Sequence, residues 1–298
     1  MFNYEATQTA SSAWDVHLNG ASKLLEVMSV ARVCSISPRT RAQIAMLIWW
    51  DVTIACLSRR ETRLPLAYLE TLSGYAQDDG WTFYALNGCP LELVMYMVRL
   101  AKLASIYETV VDLEHTTFDH RTVAKIVDEV RNWRNPEEFT FEDLEASTYD
   151  TNAKQNGFHC LEAWRYGILL YCYRVFDRPP GPERLRSISH LARLVTDHIK
   201  CIPPTEIVQK QTLLPLFLAA AEASSEVDRD FARQYCVHWS ATARYHMFTT
   251  VMALLEQIWE ASDLSPARHT FWWGIKVMHT RTTNAPSSQS LRSEHLLG

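Results

Sequence analysis

An uninterrupted apolar run, from Leu213 to Ala221, has no polar side chain at any position. It is rich in Leu and Ala, which favour helices, and Pro215 fits the first helical turn, where its missing N–H costs little. The run is too short to cross a bilayer, which needs ~20 apolar residues. A helix that is apolar on every side must be covered on every side. The sequence therefore predicts a central helix inside a larger helical body, closed by Glu222, whose carboxylate needs either water or a partner.

Apolar residues recur at helical spacing along most of the remaining chain. Ser37-Pro38 begins one such element, and Arg59-Arg60 ends it. The further predicted helices cover residues 14–32, 91–115, 119–133, 158–176, 183–200, 228–246, 247–260 and 268–278, and residues 64–81 form a looser connection with one or two short helical turns. No run of residues shows the alternation of apolar and polar side chains that is typical of a β-strand. We expect an all-α fold, a multi-helix orthogonal or solenoid-like bundle around the central apolar helix.

The chain is long enough, at 298 residues, to bury a large core. We expect a single helical module over residues 1–279. Residues 135–156 are polar and acidic, and they are predicted to be a mobile excursion between two halves. Residues 280–298, rich in Ser, Thr and Asn, are predicted to be a disordered tail.

Charge and cysteine usage narrow the classes of function. The net charge of −5 does not indicate the positively charged surface that nucleic-acid binding usually needs, so we expect no direct nucleic-acid contact from this chain. The seven cysteines include no CxxC pair, and their odd number is typical of reduced, buried thiols in an intracellular protein. The N-terminus lacks the basic and apolar regions of a secretory signal, and the sequence predicts no membrane-spanning segment.

Motifs for catalysis and for cofactor binding are absent from the sequence. The eleven histidines include no HExxH pair, and His190/His198 and His238/His246 are each eight residues apart, whereas ligands on one helix usually lie three or four apart. We therefore expect no metal and no cofactor. The Asp78-Asp79 pair continues into Gly-Trp-Thr-Phe, which favours a turn over a magnesium-binding motif of a terpene synthase. There is also no GxSxG elbow, P-loop or GxGxxG loop.

Aromatic residues either fill the core or form the wall of an apolar ligand pocket, and the sequence does not separate the two. The candidates for such a wall are Trp49, Trp50, Phe217, Trp239, Trp272 and Trp273. Near the central run, Glu222 and Arg229 lie seven residues apart across a Ser-Ser turn. We expect a salt bridge between them, with a solvated acid and a solvated base as the alternative. Pro215, Glu222 and Arg229 are thus predicted to be structural residues.

Several segments in order resemble the regulatory domain of fungal-specific transcription factors. The stretch from Trp14 to Leu25 is similar to that family's W-x-x-H-L-x-G-A-x-x-L-L segment. The stretch from Leu214 to Ala223 resembles its P-L-F-x-A-G-x-E-A signature. Weaker similarities are Trp50-Asp51 with Leu64-Pro65, Gly88-Cys89-Pro90, Arg229, and Leu255-Glu256 with Trp259. The chain departs from the family pattern at Ala221 and lacks both the six-cysteine zinc cluster and the first helices. We therefore expect either the C-terminal part of a regulator or a stand-alone relative.

The resemblance implies an all-helical nuclear module that controls transcription. Some relatives bind a small apolar ligand such as a sterol, and dimerisation is common, so we expect an apolar ligand and a homodimer or a heterodimer with a full-length regulator. One alternative is a stand-alone, cytoplasmic helical enzyme acting on a hydrophobic secondary metabolite. Its candidate catalytic residues are His17, Asp51, His238 and Tyr245. Another is a non-catalytic partner that pairs with a full-length regulator and blocks or recruits it.

Overall fold

The computed structural model describes residues 13–27, 32, 37–76, 78–111, 117–134, 148–178, 180–243, 245–264 and 273. These residues form helices joined by turns and short loops, with no strand among them. The helices are α1 (Ala13–Val27), α2 (Pro38–Ser58), α3 (Leu66–Ala76), α4 (Phe83–Asn87), α5 (Leu91–Val110), α6 (Arg121–Asn132), α7 (Thr148–Val175), α8 (Pro182–Lys200), α9 (Ile207–Lys210), α10 (Leu213–Ala220), α11 (Glu226–Ala243) and α12 (His246–Leu264). The prediction of an all-α fold is confirmed.

Local signals in the sequence account for several helix ends. At the start of α2, the Ser37 hydroxyl accepts a hydrogen bond from the Thr40 backbone N–H at 3.3 Å, and Pro38 occupies the first turn. The helix ends where Arg59 takes a left-handed conformation with φ of 50°. Likewise α4 begins at Thr82, whose hydroxyl accepts from the Ala85 N–H at 3.0 Å, and ends at Gly88 with φ of 76°.

The longest helix, α7, is the hub of the packing. It contacts α5, α6, α8, α9 and α10. On one side, α5 in turn contacts α2 and α3, which form the N-terminal part of the core. On the other side, α10 packs against α7 and α8 and also against the α11–α12 pair. The predicted central helix therefore sits between the hub and the last helices of the described chain.

All eight residues of α10 are buried, as its apolar sequence predicts. It lies close to α7 because Gly167 has no side chain: a Cβ built there would be 3.2 Å from the Cβ of Pro215. The Trp259 indole N–H donates to the carbonyl oxygen of Ala220 at 2.8 Å and ties α12 to the C-terminal end of α10. None of the described helices is long and apolar enough to span a membrane.

The mobile excursion predicted over 135–156 stays a prediction, although its second half is helical. Residues 148–156 form the first turns of α7, and residues 135–147 lie outside the described part of the chain. Asn152 and Gln155 are polar because they are exposed on the solvent side of this helix. The predicted loose connection over 64–81 contains α3, an eleven-residue helix. The predicted helix over 268–278 and the tail over 280–298 fall outside the described residues, apart from Trp273.

Candidate regulatory core around the central helix

A buried ion pair closes the central apolar run. Glu222 lies just beyond the end of α10, and its Oε1 is 2.8 Å from Nε of Arg174, in the last turn of α7. The side chains are 10 % and 3 % exposed, respectively. Burial raises the pKa of the Glu222 carboxyl to about 7, and the Arg174 guanidinium opposes that rise. The pair thus joins the hub helix to the central helix at their shared end.

The predicted pairing of Glu222 with Arg229 is wrong. Arg229 donates instead to both carboxylate oxygens of Asp263, at 2.7 and 2.9 Å, and so ties α11 to the end of α12. Its Nε–H also donates to the carbonyl oxygen of Ala223 at 3.2 Å. Sequence proximity favours Arg229 as the partner, whereas helix packing brings in a residue from α7 that has no local signal in the sequence.

A small polar cavity of about 40 Å³ lies beside the Glu222 carboxylate. It is lined by residues from α8, from the turn after α10, from the first turn of α11 and from the end of α12: Leu185, Ile188, Ser189, Ala221, Glu222, Ala223, Ser224, Arg229, Ser262 and Asp263. Since one water needs roughly 10–15 Å³ and polar partners, this cavity suits a few water molecules.

An apolar cavity of about 20 Å³ lies where α10 meets α2, α5 and α7. Its walls are Cys56, Leu57, Met97, Leu100, Trp164, Gly167, Ile168, Tyr171, Leu214, Pro215 and Leu218. The volume corresponds to about one water, whereas pockets for small molecules typically measure roughly 300–1,000 Å³. In this cavity, side chains already fill nearly all of the space.

The aromatic residues predicted as a ligand wall are packed into the core at separate places. Trp49 meets Trp164 edge to face at 5.1 Å, and Phe217 meets Trp273 at 5.8 Å. Trp239 is buried on α11, where its indole N–H donates to Oε1 of Gln209 at 2.9 Å. Trp50 is buried on α2, and Trp272 lies outside the described residues. None of the described five lines the apolar cavity, so their role in ligand binding stays a prediction.

Asp51 has a structural role that the sequence did not reveal. Its carboxylate is buried and accepts hydrogen bonds from the backbone N–H groups of Arg63 and Leu64 at 2.6 and 2.8 Å, and it pairs with Arg60 at 3.3 Å. Burial raises the pKa of this carboxyl, while those hydrogen bonds and the nearby arginines oppose the rise. The carboxylate therefore folds residues 60–64 back onto α2, which gives the spacing between Trp50-Asp51 and Leu64-Pro65 a physical reason.

The other candidate catalytic residues lie on different elements. His17 is on α1, and His238 on α11 donates from Nε2 to the carbonyl oxygen of Pro204 at 2.8 Å. Tyr245 lies between α11 and α12, with Lys210 Nζ 5.2 Å from its ring centre. The contacts of Asp51, His238 and Tyr245 are thus to three different segments. Within the described ranges, no three His, Cys, Asp or Glu residues come together as a metal-binding cluster.

Two contacts between helices were missed by the reasoning from sequence: Arg174 with Glu222, and His159 with His198, whose Nδ1 atoms lie 2.9 Å apart across α7 and α8. The partners in each pair are far apart in the chain. No spacing rule along one helix identifies such pairs, because the packing of two helices sets them.

The fold and this core define an all-α module whose buried polar groups hold helices together. Comparison with models of protein families identifies the family of the chain. The model for the fungal specific transcription factor domain matches residues 1–284. The chain belongs to that family, and the resemblance inferred from its motifs is confirmed. Searches of the curated proteins and of the solved structures found no significant match. The family supports a role like that of a transcription regulator and gives no support to the enzyme alternative.

Proposed function

We propose that this chain is the regulatory module of a fungal transcription regulator, acting in the nucleus through a partner or a separate DNA-binding region. The observation that carries the proposal is the family match over residues 1–284. The net charge of −5 supports a route through a partner, because direct binding to DNA usually needs a basic surface.

A reporter assay tests this function. The chain is fused to an unrelated DNA-binding domain and expressed in a fungal host, with the same fusion carrying Glu222→Ala as the matched variant. We expect the wild-type fusion to change reporter transcription and to reside in the nucleus. Because Glu222 is buried beside Arg174, the variant should lose the effect in proportion to its loss of folded protein. A wild-type fusion that is folded, nuclear and without effect on any transcript would refute the proposal.

We further propose that an apolar ligand of sterol size would act at the junction of α7 and α10. The supporting observation is that the cavity there is lined largely by apolar side chains and contacts four helices. At about 20 Å³ it must open before such a ligand enters. Binding would therefore favour a second packing arrangement of α10, which couples occupancy to the state of the module.

Native mass spectrometry of protein purified from a fungal host tests the ligand. We expect a retained apolar molecule in the wild type and its loss in Gly167→Ala, whose added methyl group would stand at the cavity wall 3.2 Å from the Cβ of Pro215. A stable, folded wild type that carries no retained molecule, and whose melting temperature no sterol raises, would count against ligand sensing. Sedimentation of the same samples measures whether the chain forms the homodimer that is expected from the family resemblance.

A further inference from the structure

An exposed stripe of polar side chains runs along one side of α8. Its members follow one another at alternating steps of three and four residues, a spacing that places them on one face of a helix. They are Glu183, Arg186, His190, Arg193 and Asp197, and all five are exposed. The other side of α8 packs against α7 and α10. The α8 stripe is therefore a side of this helix that none of the described helices covers.

The two arginines of the α8 stripe have no carboxylate partner. Arg184, in the first turn of the same helix, pairs with Asp177 at 2.7 Å. Neither Arg186 nor Arg193, by contrast, forms an ion pair with any residue that the structure describes. Nη2 of Arg193 lies 3.4 Å from Nδ1 of His190, which carries no negative charge. Two positive charges thus face solvent on a chain whose net charge is −5.

The order of charges along the stripe defines the surface that would complement it. Arg186 and Arg193 are seven residues apart, which is roughly 10.5 Å along the helix axis. Glu183 and Asp197 flank them, so positive charge is confined to the middle of the stripe. A second helix with two acidic residues seven positions apart presents its carboxylates at the same spacing. Charge complementarity therefore favours an acidic helix.

A second copy of this chain does not provide that complement when the two stripes overlap fully. In an antiparallel pair centred on His190, each Arg186 would face an Arg193, and each Glu183 would face an Asp197. Like charges opposite each other disfavour such a pairing. The charge pattern therefore points to a helix from a different protein.

An open depression of about 560 Å³ lies beside the arginines. It is lined by Pro182, Leu185, Arg186, Ser189, His190 and Arg193. Leu185 is half-buried, so it offers an apolar surface between polar neighbours. Exposed ion pairs contribute little affinity, about 0–1 kcal/mol each. The arginines would therefore select the partner, and an apolar side chain of the partner packed on Leu185 would add to its affinity.

We propose that the α8 stripe binds an acidic amphipathic helix of a partner protein. Two carboxylates of that helix, seven residues apart, pair with Arg186 and Arg193, and an apolar side chain between them packs on Leu185. The inference deepens the proposed function and rests on it, because it assigns a surface to the route through a partner. The complex is weak and sensitive to salt, since both arginines are exposed.

Fluorescence anisotropy with the purified full chain and labelled peptides tests the proposal. The probe is an alanine-rich helical peptide with two glutamates seven residues apart and a leucine between them. The reference peptide has the same composition, with its two glutamates on opposite faces. We expect the probe to bind about fivefold more tightly, because the reference engages one arginine at a time. Raising the ionic strength from about 0.05 to about 0.3 M should remove most of this preference.

Substitutions in the α8 stripe locate the binding surface. Arg186→Gln and Arg193→Gln should each weaken probe binding by about two- to fivefold, the usual effect of losing an exposed ion pair. The matched control is Arg99→Gln, which removes an exposed arginine from α5 and should bind as the wild type does. A double variant, Arg186→Glu with Arg193→Glu, should instead prefer a peptide in which lysines replace the two glutamates. An unfolded variant would lose both peptides, so this reversal does not arise from unfolding.

Several outcomes would overturn the proposal. If the wild type binds neither peptide, or binds both equally, the stripe is a solvated helix face. An equal loss of binding in Arg99→Gln and Arg186→Gln would make the attraction non-specific. If the double variant sediments differently from the wild type without peptide, the stripe is a contact between two copies of the chain. The reporter assay is a separate measurement: a wild-type fusion that controls transcription while no peptide binds would refute this surface alone.

Discussion

At the scale of single residues, the buried pair of Arg174 and Glu222 is the most consequential contact. Each member is almost fully buried and the pair joins two helices, so loss of one partner leaves an uncompensated charge inside the protein. Sequence reasoning recognised that Glu222 needed a partner but chose Arg229. Distance along the chain identifies candidate partners within a few turns, whereas the packing of α10 against α7 brings in a distant arginine.

A double-mutant cycle tests this assignment. At pH 8, Glu222→Ala should lower the free energy of unfolding by about 3–5 kcal/mol, the usual effect of breaking a buried pair. Combining it with Arg174→Met should recover part of this loss, because no charge is then stranded. Urea unfolding of the four proteins gives the coupling energy. The control cycle uses Arg229→Met, which breaks the pair with Asp263 instead. A coupling to Arg229 that equals or exceeds that to Arg174 would contradict the structure.

The same carboxyl should make stability depend on pH. Burial raises its pKa from 4.5 to about 7 in the folded state. Between these values the folded protein holds a proton that the unfolded chain has lost, so the free energy of unfolding falls as pH rises through this window. At about 1.4 kcal/mol per pH unit the total change is about 3 kcal/mol.

Comparison with Glu222→Gln isolates this effect, since the amide does not titrate in that range. The difference in unfolding free energy between wild type and Glu222→Gln should favour the wild type most at pH 4.5 and least at pH 7. Glu206→Gln, at an exposed position, serves as the control for the replacement of a carboxylate by an amide. A wild-type curve parallel to that of Glu222→Gln would mean that the carboxyl is ionised throughout.

At the scale of helices, the sequence predicted most elements because their buried faces repeat at helical spacing. The predicted boundary between residues 246 and 247 lies within one residue of the start of α12 at His246. The start of α7 was missed for a physical reason: residues 152, 153 and 155 are exposed, so this part of the helix carries little apolar periodicity. The small apolar cavity beside α10 could not be inferred either, since its volume depends on how four helices fit together.

The turn between α4 and α5 offers a test of helix packing. Gly88 has φ of 76°, and a Cβ there would lie 2.6 Å from Cβ of Gln211 and 3.2 Å from Sγ of Cys160. Gly88→Ala therefore adds a steric clash to the conformational cost of positive φ, which is about 1–2 kcal/mol for a residue with a Cβ.

The matched control for this substitution is Gly80→Ala. Gly80 has φ of 72° and nothing within 4 Å of a built Cβ, so it carries only the conformational cost. We expect Gly88→Ala to lower the free energy of unfolding by at least about 1 kcal/mol more than Gly80→Ala does. Denaturant unfolding of both variants measures the difference. Equal losses would show that the segment carrying Gln211 does not press on the turn in solution.

At the scale of the whole molecule, the prediction of a single module over residues 1–279 can be tested with the cysteines. Cys56, Cys89, Cys160, Cys172 and Cys236 are free and buried, and burial raises the pKa of each thiol. Cys201 is exposed. Because the thiolate is the reactive form, only Cys201 of these six should react rapidly with a thiol reagent in the folded protein.

Urea then reports on cooperativity. If the helices form one unit, the five buried thiols become reactive together, at the urea concentration where helical circular dichroism is lost. Mass spectrometry of the labelled peptides assigns each site. A Cys201→Ser variant removes the rapid labelling of the exposed thiol. It should unfold at nearly the same urea concentration as the wild type. Separate transitions for Cys56 and Cys236 would divide the chain into at least two domains.

The shortness of α10 has a consequence for the order of folding. An isolated helix of eight residues is far below the ~12–15 needed for even marginal stability in water. Its contacts are with α7 and α8 on one side and with α11 and α12 on the other, so it gains helical structure only by docking between them. We expect amides of α7 to become protected from hydrogen exchange before those of α10 during refolding. The segment that resembles the family's P-L-F-x-A-G-x-E-A signature would then be among the last to form.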